Sequence, residues 1–433
     1  MPIVDLTVPS YVIGAIVGYY VLLLALSRPR PAPPSAGQGP CIVVLVPARN
    51  EQDVLGETLA NLCDLEYAAG QVRVLVIDDG STDDTGQIAA RRAAADPRVR
   101  VLTRRAPDAG IGKSEALNHA FRAVRDLARA GDPWLAGAAP ADIVLGIVDA
   151  DGRLECTGGL DRVAPYFADE AVASVQIGVR IGNAGRSGLA RMQDMEFVGF
   201  SYLVQIARDR LGSSGLGGNG QFTRLSALSD LGTDPWSPGA LTEDLDLGLK
   251  LIRRGWRTRY CSTTFVVQQG LEQWSPLLRQ RTRWIQGHYQ CWRHLVPLLR
   301  SRQAALACRL DLAIYLVLVV TVILVSVTMA LGVLGACGII QLRNDFLGFL
   351  GDGFARRLML TLFSILPAVM FMRTYQRHSG QPFRWWETPG YGLIFTLYTY
   401  VWLVTTVRAL TRLALGRNGW VKTPRLHLDA EPA

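Results

Sequence analysis

Apolar residues crowd the two ends of the chain, whereas the middle alternates short apolar runs with amphipathic stretches. Across residues 3–26 the only charge is Asp5. A helix of that length, at about 1.5 Å per residue, crosses the roughly 30 Å of hydrocarbon in a bilayer. No basic residue precedes the run, and Arg28 and Arg30 follow it. That arrangement argues against a cleaved leader and predicts an anchor with its start outside and its arginine side cytoplasmic. Apolar character returns after Arg309, in residues 310–342, 358–372 and 390–407. The first and third are predicted spans. The second is short and holds Pro367, so a re-entrant or interfacial segment is an alternative there. Were all four to cross, the tail would end outside, against the charge rule set by Arg408, Arg412, Arg417, Lys422 and Arg425, and the span count stays open.

Residues 29–40, rich in Pro, Gly and small side chains, are a predicted linker from the anchor (1–28) to a soluble domain at 41–272. In that domain apolar runs at 41–46, 72–77, 99–102 and 143–148 alternate with helical patterns at 51–63, 83–94 and 113–130. Continuous apolar strands separated by helices predict an α/β domain with a mostly parallel sheet covered on both faces. Ligands of such sheets sit at the carboxyl ends of the strands. Three polar strings fall there: Pro47-Ala48-Arg49-Asn50-Glu51, Asp78-Asp79-Gly80-Ser81 and Asp149-Ala150-Asp151.

A net charge of +8 raises nucleic acid as a partner, and the placement of the charge answers it. Residues 274–310 hold Arg279, Arg281, Arg283, Arg293, Arg300, Arg302 and Arg309 and no acid. Interleaved with Trp284, Ile285, Trp292, Leu295, Leu298 and Leu299, residues 273–309 are predicted to form one or two amphipathic helices on an anionic inner leaflet, kinked at Pro297. The expected partner is a membrane lipid surface, not nucleic acid. A multi-pass region at 310–416 and a tail at 417–433 complete the plan. The seven cysteines are scattered and form no Cys-x-x-Cys pair, which implies neither a disulfide framework nor a zinc site and suits reduced cytosolic thiols.

Each polar string has an ordinary reading beside a chemical one. Asp78 and Asp79 end a strand, where a carboxylate can accept from a nucleobase N–H or a ribose hydroxyl; equally, the string is a turn in which Ser81 or Asp83 caps the next helix. Asp149 and Asp151, one residue apart on an extended segment, project to one side and can share a magnesium or manganese ion; the bland reading is a solvated turn. Thr242-Glu243-Asp244 opens a helical stretch at 245–253 with Thr242 placed to cap it. Its acids either complement the helix dipole or supply a base, Asp244, with Glu243 orienting the acceptor. Gly218 and Asn219 lie in a glycine-rich loop able to approach an acceptor, or in a plain loop. Lys113 is one of only three lysines and precedes a helix, where it can bind phosphate as a point charge. In Gln280-Arg281-Thr282-Arg283-Trp284, Arg283 can pair with diphosphate oxygens and Trp284 offers a flat face to a sugar ring, although membrane anchoring would also suit both.

Taken in this order, the motifs resemble the family 2 inverting glycosyltransferases, and within them the membrane-integrated synthases of cellulose, hyaluronan, chitin and poly-N-acetylglucosamine, over about residues 40–292. The resemblance implies a GT-A, Rossmann-like cytoplasmic domain. It implies that Asp79 contacts uracil, that Asp149 and Asp151 hold the metal nucleotide, and that Asp244 is the catalytic base. It also implies that Gln280, Arg283 and Trp284 close over the diphosphate and stack the acceptor sugar. The segment from Gly112 to Asn118 looks like the family's lysine-bearing donor site, with Pro47, Arg49 and Glu51 on the same nucleotide-sugar side. Trp420-Val421-Lys422-Thr423-Pro424-Arg425 is similar to a cytoplasmic tail of bacterial members. The segment Gly217-Gly218-Asn219-Gly220-Gln221-Phe222 departs from the cysteine-containing version of cellulose and hyaluronan synthases. The implied function is transfer of a hexose or N-acetylhexosamine from a UDP-sugar, with Mg2+ or Mn2+, to a growing β-linked polysaccharide that the later spans translocate, at a bacterial-type inner membrane. The alternative is a single addition to a membrane lipid.

Overall fold

The computed structural model describes residues 2–34, 37–346, 354, 369–380 and 385–417. Helix α1 (Thr7–Leu26) leads to an eight-stranded sheet. Its strands are β1 (Cys41–Ala48), β2 (Val72–Asp79), β3 (Val99–Arg104), β4 (Ile143–Ile147), β5 (Arg153–Leu154), β6 (Val172–Ile181), β7 (Gln221–Arg224) and β8 (Arg257–Gln268). They lie in the order β3-β2-β1-β4-β7-β6-β8-β5. The first four in that order are mutually parallel, β7 runs antiparallel to β4 and β6, and β6 pairs in parallel with β8.

The uninterrupted apolar runs are explained by two cores, one on each face of the sheet. Ile42, Val44 and Val46 of β1 join Val74 and Val76 in one core, with Leu55, Leu59 and Leu62 of α2 (Leu55–Cys63) and Ala89 of α3 (Thr85–Ala95). Val43 and Leu45 point the other way and join Leu75 and Ile77, with Leu117, Phe121 and Val124 of α4 (Lys113–Ala130). A period of two with both faces covered leaves no place for a polar residue until the strand ends. Each such side chain contributes about 1.5–3 kcal/mol by burial.

Helix α5 (Gly188–Gly199) continues through a π-helical segment, Phe200–Gln205, into Ile206–Leu211. Helices α6 (Glu243–Arg253), α7 (Trp274–Gln290), α8 (Leu306–Ala336) and α9 (Thr388–Ala414) follow. Among the described residues three helices are long and apolar enough to cross a membrane: Thr7–Leu26, Leu306–Gly332 and Thr388–Ala414.

Several boundaries differ from expectation. The helix predicted over 51–63 begins at Leu55, because side chains of the loop after β2 bind the backbone of Asn50, Glu51 and Gln52. The span predicted over 310–342 starts earlier and ends at Ala336; Gln341–Arg343 then pairs in parallel with Ile3–Asp5. Pro297 does not kink a helix. The break falls at the 3-10 turn Cys291–His294, and Pro297 sits in the first turn of Leu295–Arg300, where its missing N–H costs nothing. Of the segment at 358–372 only 369–372 are described, and they are helical; Trp420 to Arg425 lie outside the described residues.

Candidate active site

The loops after β1 and β2 are stitched together. Ser81 Oγ accepts from the Asn50 N–H at 3.1 Å, Asn50 Oδ1 from the Thr82 N–H at 2.8 Å, and Thr85 Oγ1 from the Glu51 N–H at 2.7 Å. Asn50 holds φ +53°, a region its short amide tolerates. Ser81 therefore serves the neighbouring loop instead of capping a helix, while Asp83 accepts from the Thr85 N–H at 3.0 Å near the start of α3.

Asp78 accepts from the Ser81 N–H at 3.0 Å within its own turn. Asp79 pairs closely with Arg104 and accepts from the Gly110 N–H at 3.0 Å. Arg49 holds the same turn by donating to the Gly110 carbonyl at 2.9 Å. Arg104 is buried, yet nothing in its local sequence marks it; beside Arg105 it looks like any surface charge.

Three residues beyond Gly110, α4 opens at Lys113. Its Nζ donates to Asp149 Oδ1 at 2.6 Å and lies 3.5 Å from Glu243 Oε1. Asp149 and Asp151 sit in a turn closed by the Gly152 N–H on the Asp149 carbonyl at 2.7 Å, not on an extended segment. Their neighbours differ as a result: Asp151 Oδ2 accepts from the Gln269 N–H at 3.1 Å. Asn219 Oδ1 accepts from the Asp149 N–H at 3.1 Å, and its Nδ2 donates to Gln268 at 2.7 Å. Gly218, at φ +73°, passes so close to Asp244 that a Cβ there would stand 3.1 Å from Asp244 Oδ2. The glycine-rich loop thus joins the Asp149 turn to Asp244.

Helix α6 starts at Glu243, with Thr242 at its N-cap making no side-chain cap bond. Its hydroxyl lies instead 3.8 Å from Cys291 Sγ, and Gly287 of α7 lies against Thr242, so that a Cβ on Gly287 would meet Thr242 atoms at 2.6 Å. Burial, then the Glu243 charge, push the Asp244 carboxyl up to about 7, against the Leu245 N–H and Lys113. Burial alone would lower Lys113, but Asp149 and Glu243 outweigh it and raise the ammonium above its ordinary range.

Lys113, Asp149, Gly218, Asn219, Glu243 and Asp244 therefore share one site, and the short segment 110–113 joins it to Asp79 and Arg49. Pro47 lies near the end of β1 opposite Ile77, and Glu51 is buried beside the start of α3.

The α7 motif meets side chains of its own helix, of α5 and of α9. Gln280 accepts from Arg281 at 2.8 Å, and the Arg281 guanidinium lies over the Trp284 ring, 3.9 Å from its centroid. Arg281 is fully buried and pairs at 2.8 Å with Glu196, which also accepts from Tyr398 of α9 at 2.6 Å. Phe197 meets Trp284 edge to face. One face of Trp284 is thus covered by Arg281, and half-buried Arg283 lies on the same helix. Helix α7 abuts the Thr242 segment through Gly287, a helix-interior glycine, and through Gln290, whose Oε1 accepts from the Leu241 N–H at 3.0 Å; the motifs of the sequence mark neither.

A curled, mostly parallel sheet with acids gathered at its strand ends is the GT-A architecture. The mannosyltransferase PcManGT from Pyrobaculum calidifontis, solved with GDP-Man and Mn2+, superposes with a TM-score of 0.61 at 18% identity, over 93% of this chain and 98% of that one. The chain belongs to the family described as glycosyltransferase like family 2, whose profile it matches over residues 39–287. It is 34% identical over 277 residues to a beta-monoglucosyldiacylglycerol synthase of Nostoc sp., covering 64% of this chain and 55% of that protein. It is 24% identical over 287 residues to a poly-beta-1,6-N-acetyl-D-glucosamine synthase of Staphylococcus aureus, covering 65% and 62%. The chain therefore spans 55% and 62% of the lengths of these two synthases.

Proposed function

We propose that the protein transfers a hexose from a UDP-sugar to a hydroxyl group of a membrane lipid, one sugar per acceptor, with inversion to a β-linkage. One observation carries the reading. Lys113 pairs with Asp149 and lies near Glu243, while Asn219 meets Asp149 and its neighbour Gly218 meets Asp244, so a cation, a carboxylate one residue from Asp151 and a buried carboxyl raised toward neutrality share one site.

Asp79 and Arg49, with the stitched loops behind them, form the nucleoside end. Asp149 and Asp151 would hold Mg2+ or Mn2+, since their carboxylates are the hard oxygen donors that suit such a cation. When bound, such a cation neutralises charge on the departing diphosphate. Lys113 adds a fixed positive charge beside that group. Asp244 takes the proton of the acceptor hydroxyl as its oxygen attacks the sugar carbon, and the bond to the diphosphate breaks on the opposite face. A base near neutrality suits this task, because a substantial fraction is ionised at working pH and the carboxylate is basic enough to accept a proton. Glu243 and Asn219 orient the acceptor, and Arg283 approaches the diphosphate from α7.

One point supports a lipid over the polysaccharide implied by the motifs: the match to a glycolipid synthase is stronger than that to a polymer synthase. Helices α1, α8 and α9 hold the domain at the bilayer, with residues 273–309 along its inner surface. In the decisive experiment, purified protein in vesicles containing diacylglycerol receives UDP-sugars and Mn2+. Release of UDP with a one-sugar glycolipid is the expected result. Release no greater than that of an Asp244→Asn variant refutes the assignment, and products of many sugars restore the polymer reading.

A further inference from the structure

Asp246 lies two residues beyond the proposed base on α6 and is 1% exposed. Two steps along a helix turn a side chain by about 200°, so Asp246 faces away from Asp244. A buried carboxylate there needs partners, and four converge on it from different parts of the chain. His294 Nε2 donates to Oδ1 at 2.7 Å, Ser237 Oγ donates to Oδ2 at 2.7 Å, Lys250 Nζ lies at 3.0 Å, and Arg293 donates to Oδ1.

The partners are tied in two pairs to two walls of the site. Lys250 also donates to the Pro235 carbonyl at 2.9 Å. The loop that holds Pro235 and Ser237 is clamped to α4, the helix that begins at Lys113, by Asn118 on both sides of Trp236 (2.7 and 3.1 Å) and by Glu115 on the Gly239 N–H at 3.0 Å. His294 and Arg293 follow α7 and precede Leu295–Arg300, a segment whose Val296 and Leu299 are exposed apolar residues. His294 Nδ1 lies 3.1 Å from Arg253 Nη1, which can only donate, so Nδ1 accepts and the proton resides on the Nε2 that faces Asp246. One carboxylate thus fastens α6 to the donor side through the 235–239 loop and to the membrane-facing side through 293–294.

We infer that Asp246 is a positioning residue for the transfer: it fixes the rotation and depth of α6, and hence of Asp244, by binding His294, Arg293, Ser237 and Lys250 together behind the helix. The inference rests on the reading of Asp244 as the base. Burial would by itself favour protonated Asp246, but the hydrogen bonds from His294, Arg293 and Ser237 outweigh it and hold the carboxyl far below its usual range. The cluster therefore stays charged and assembled across the pH range in which Asp244 titrates. Three of the four partners come from outside the helix, and a small shift of a catalytic group costs up to about 100-fold in rate.

The test compares full-length Asp246→Asn, His294→Ala, His294→Gln and Asp244→Asn in detergent or vesicles. Sites are first counted by UDP binding stoichiometry, so that unfolded protein does not contribute. Asp246→Asn and His294→Ala are expected to lower kcat per UDP-binding site by roughly 10- to 100-fold with the donor KM within about twofold. His294→Gln, whose amide can donate from near the Nε2 position, is expected to recover most of that loss. Wild-type turnover per binding site in Asp246→Asn, or a loss that only tracks the missing binding sites, overturns the inference. Retained turnover in Asp244→Asn overturns the base assignment and the inference with it, whereas loss there with an unaffected Asp246→Asn defeats positioning alone.

Discussion

The strand ends of β1, β2 and β4 and the flank of α7 are both rich in charge, but they hold it in opposite ways. At the strand ends, buried Asp79 and Asp151 meet the backbone amides of Gly110 and Gln269, and beside them Lys113 pairs with Asp149 at a partly open rim. On the flank of α7 charge is enclosed. Arg281 is fully buried, bounded by Glu196 and Trp284, and Glu196 is held again by Tyr398 from α9. The first arrangement keeps polar atoms near a surface where a nucleotide can exchange with its partners. The second removes a cation from solvent altogether, which makes it a rivet between α5, α7 and the long apolar helix α9, since a buried charge left alone is strongly unfavourable.

Substitutions sharpen this contrast if the rim carries chemistry and the flank carries stability. The largest effect is expected at Asp244: the Asn variant loses about 10³-fold in kcat while UDP binding, measured by calorimetry, is retained. Chelation of divalent metal stops turnover and added Mn2+ restores it, whereas Asp149→Ala stays inactive at the same Mn2+ concentration. On the other flank, Arg281→Met strands Glu196 and costs about 3–5 kcal/mol of stability, read as a lowered unfolding midpoint. Unchanged stability in that variant would erase the distinction between the two regions.

Gly287→Ala pushes α7 off Thr242 and is expected to reduce kcat roughly tenfold with the donor KM unchanged, since a displacement well under 1 Å already matters at a catalytic group. The pH profile has a defined sign. Asp244 must be ionised to act, so kcat/KM rises about tenfold per pH unit up to about 7 and levels above it. For stability the sign is reversed. The folded carboxyl has a pKa above its unfolded value, so the native state binds the extra proton and loses stability as pH climbs from the ordinary carboxylate range through about 7. Asp244→Asn escapes that loss and is expected to melt roughly 2–4 °C higher than wild type at pH 8. Equal melting temperatures at pH 8 would show that Asp244 is not strained by its surroundings.

The acid-bearing strand ends were legible in the amino-acid order because β1 and β4, buried on both faces, are apolar throughout and give way to polar residues only beyond their ends. Runs such as Ile42 to Val46 and Val72 to Ile77 therefore announced the sheet, and the acids just beyond them announced the rim. Their local geometry was less legible. Asp149 and Asp151 sit in a turn because Gly152 closes it, and Ser81 serves Asn50 because a second loop lies within reach. Neither fact follows from spacing along one strand.

The hydrophobic periodicity by itself determined the alternating strands and helices, the two-sided core and the apolar ends, since those depend on which residues can leave water and at what repeat. Only the tertiary structure decided which charges became partners. Glu196 meets Tyr398 across 202 residues, Asp246 meets His294 across 48, and Arg104 reaches Asp79 from a neighbouring strand. Such pairs form because packing carries distant side chains out of water together, and a buried charge must then be met by whatever the fold has placed beside it.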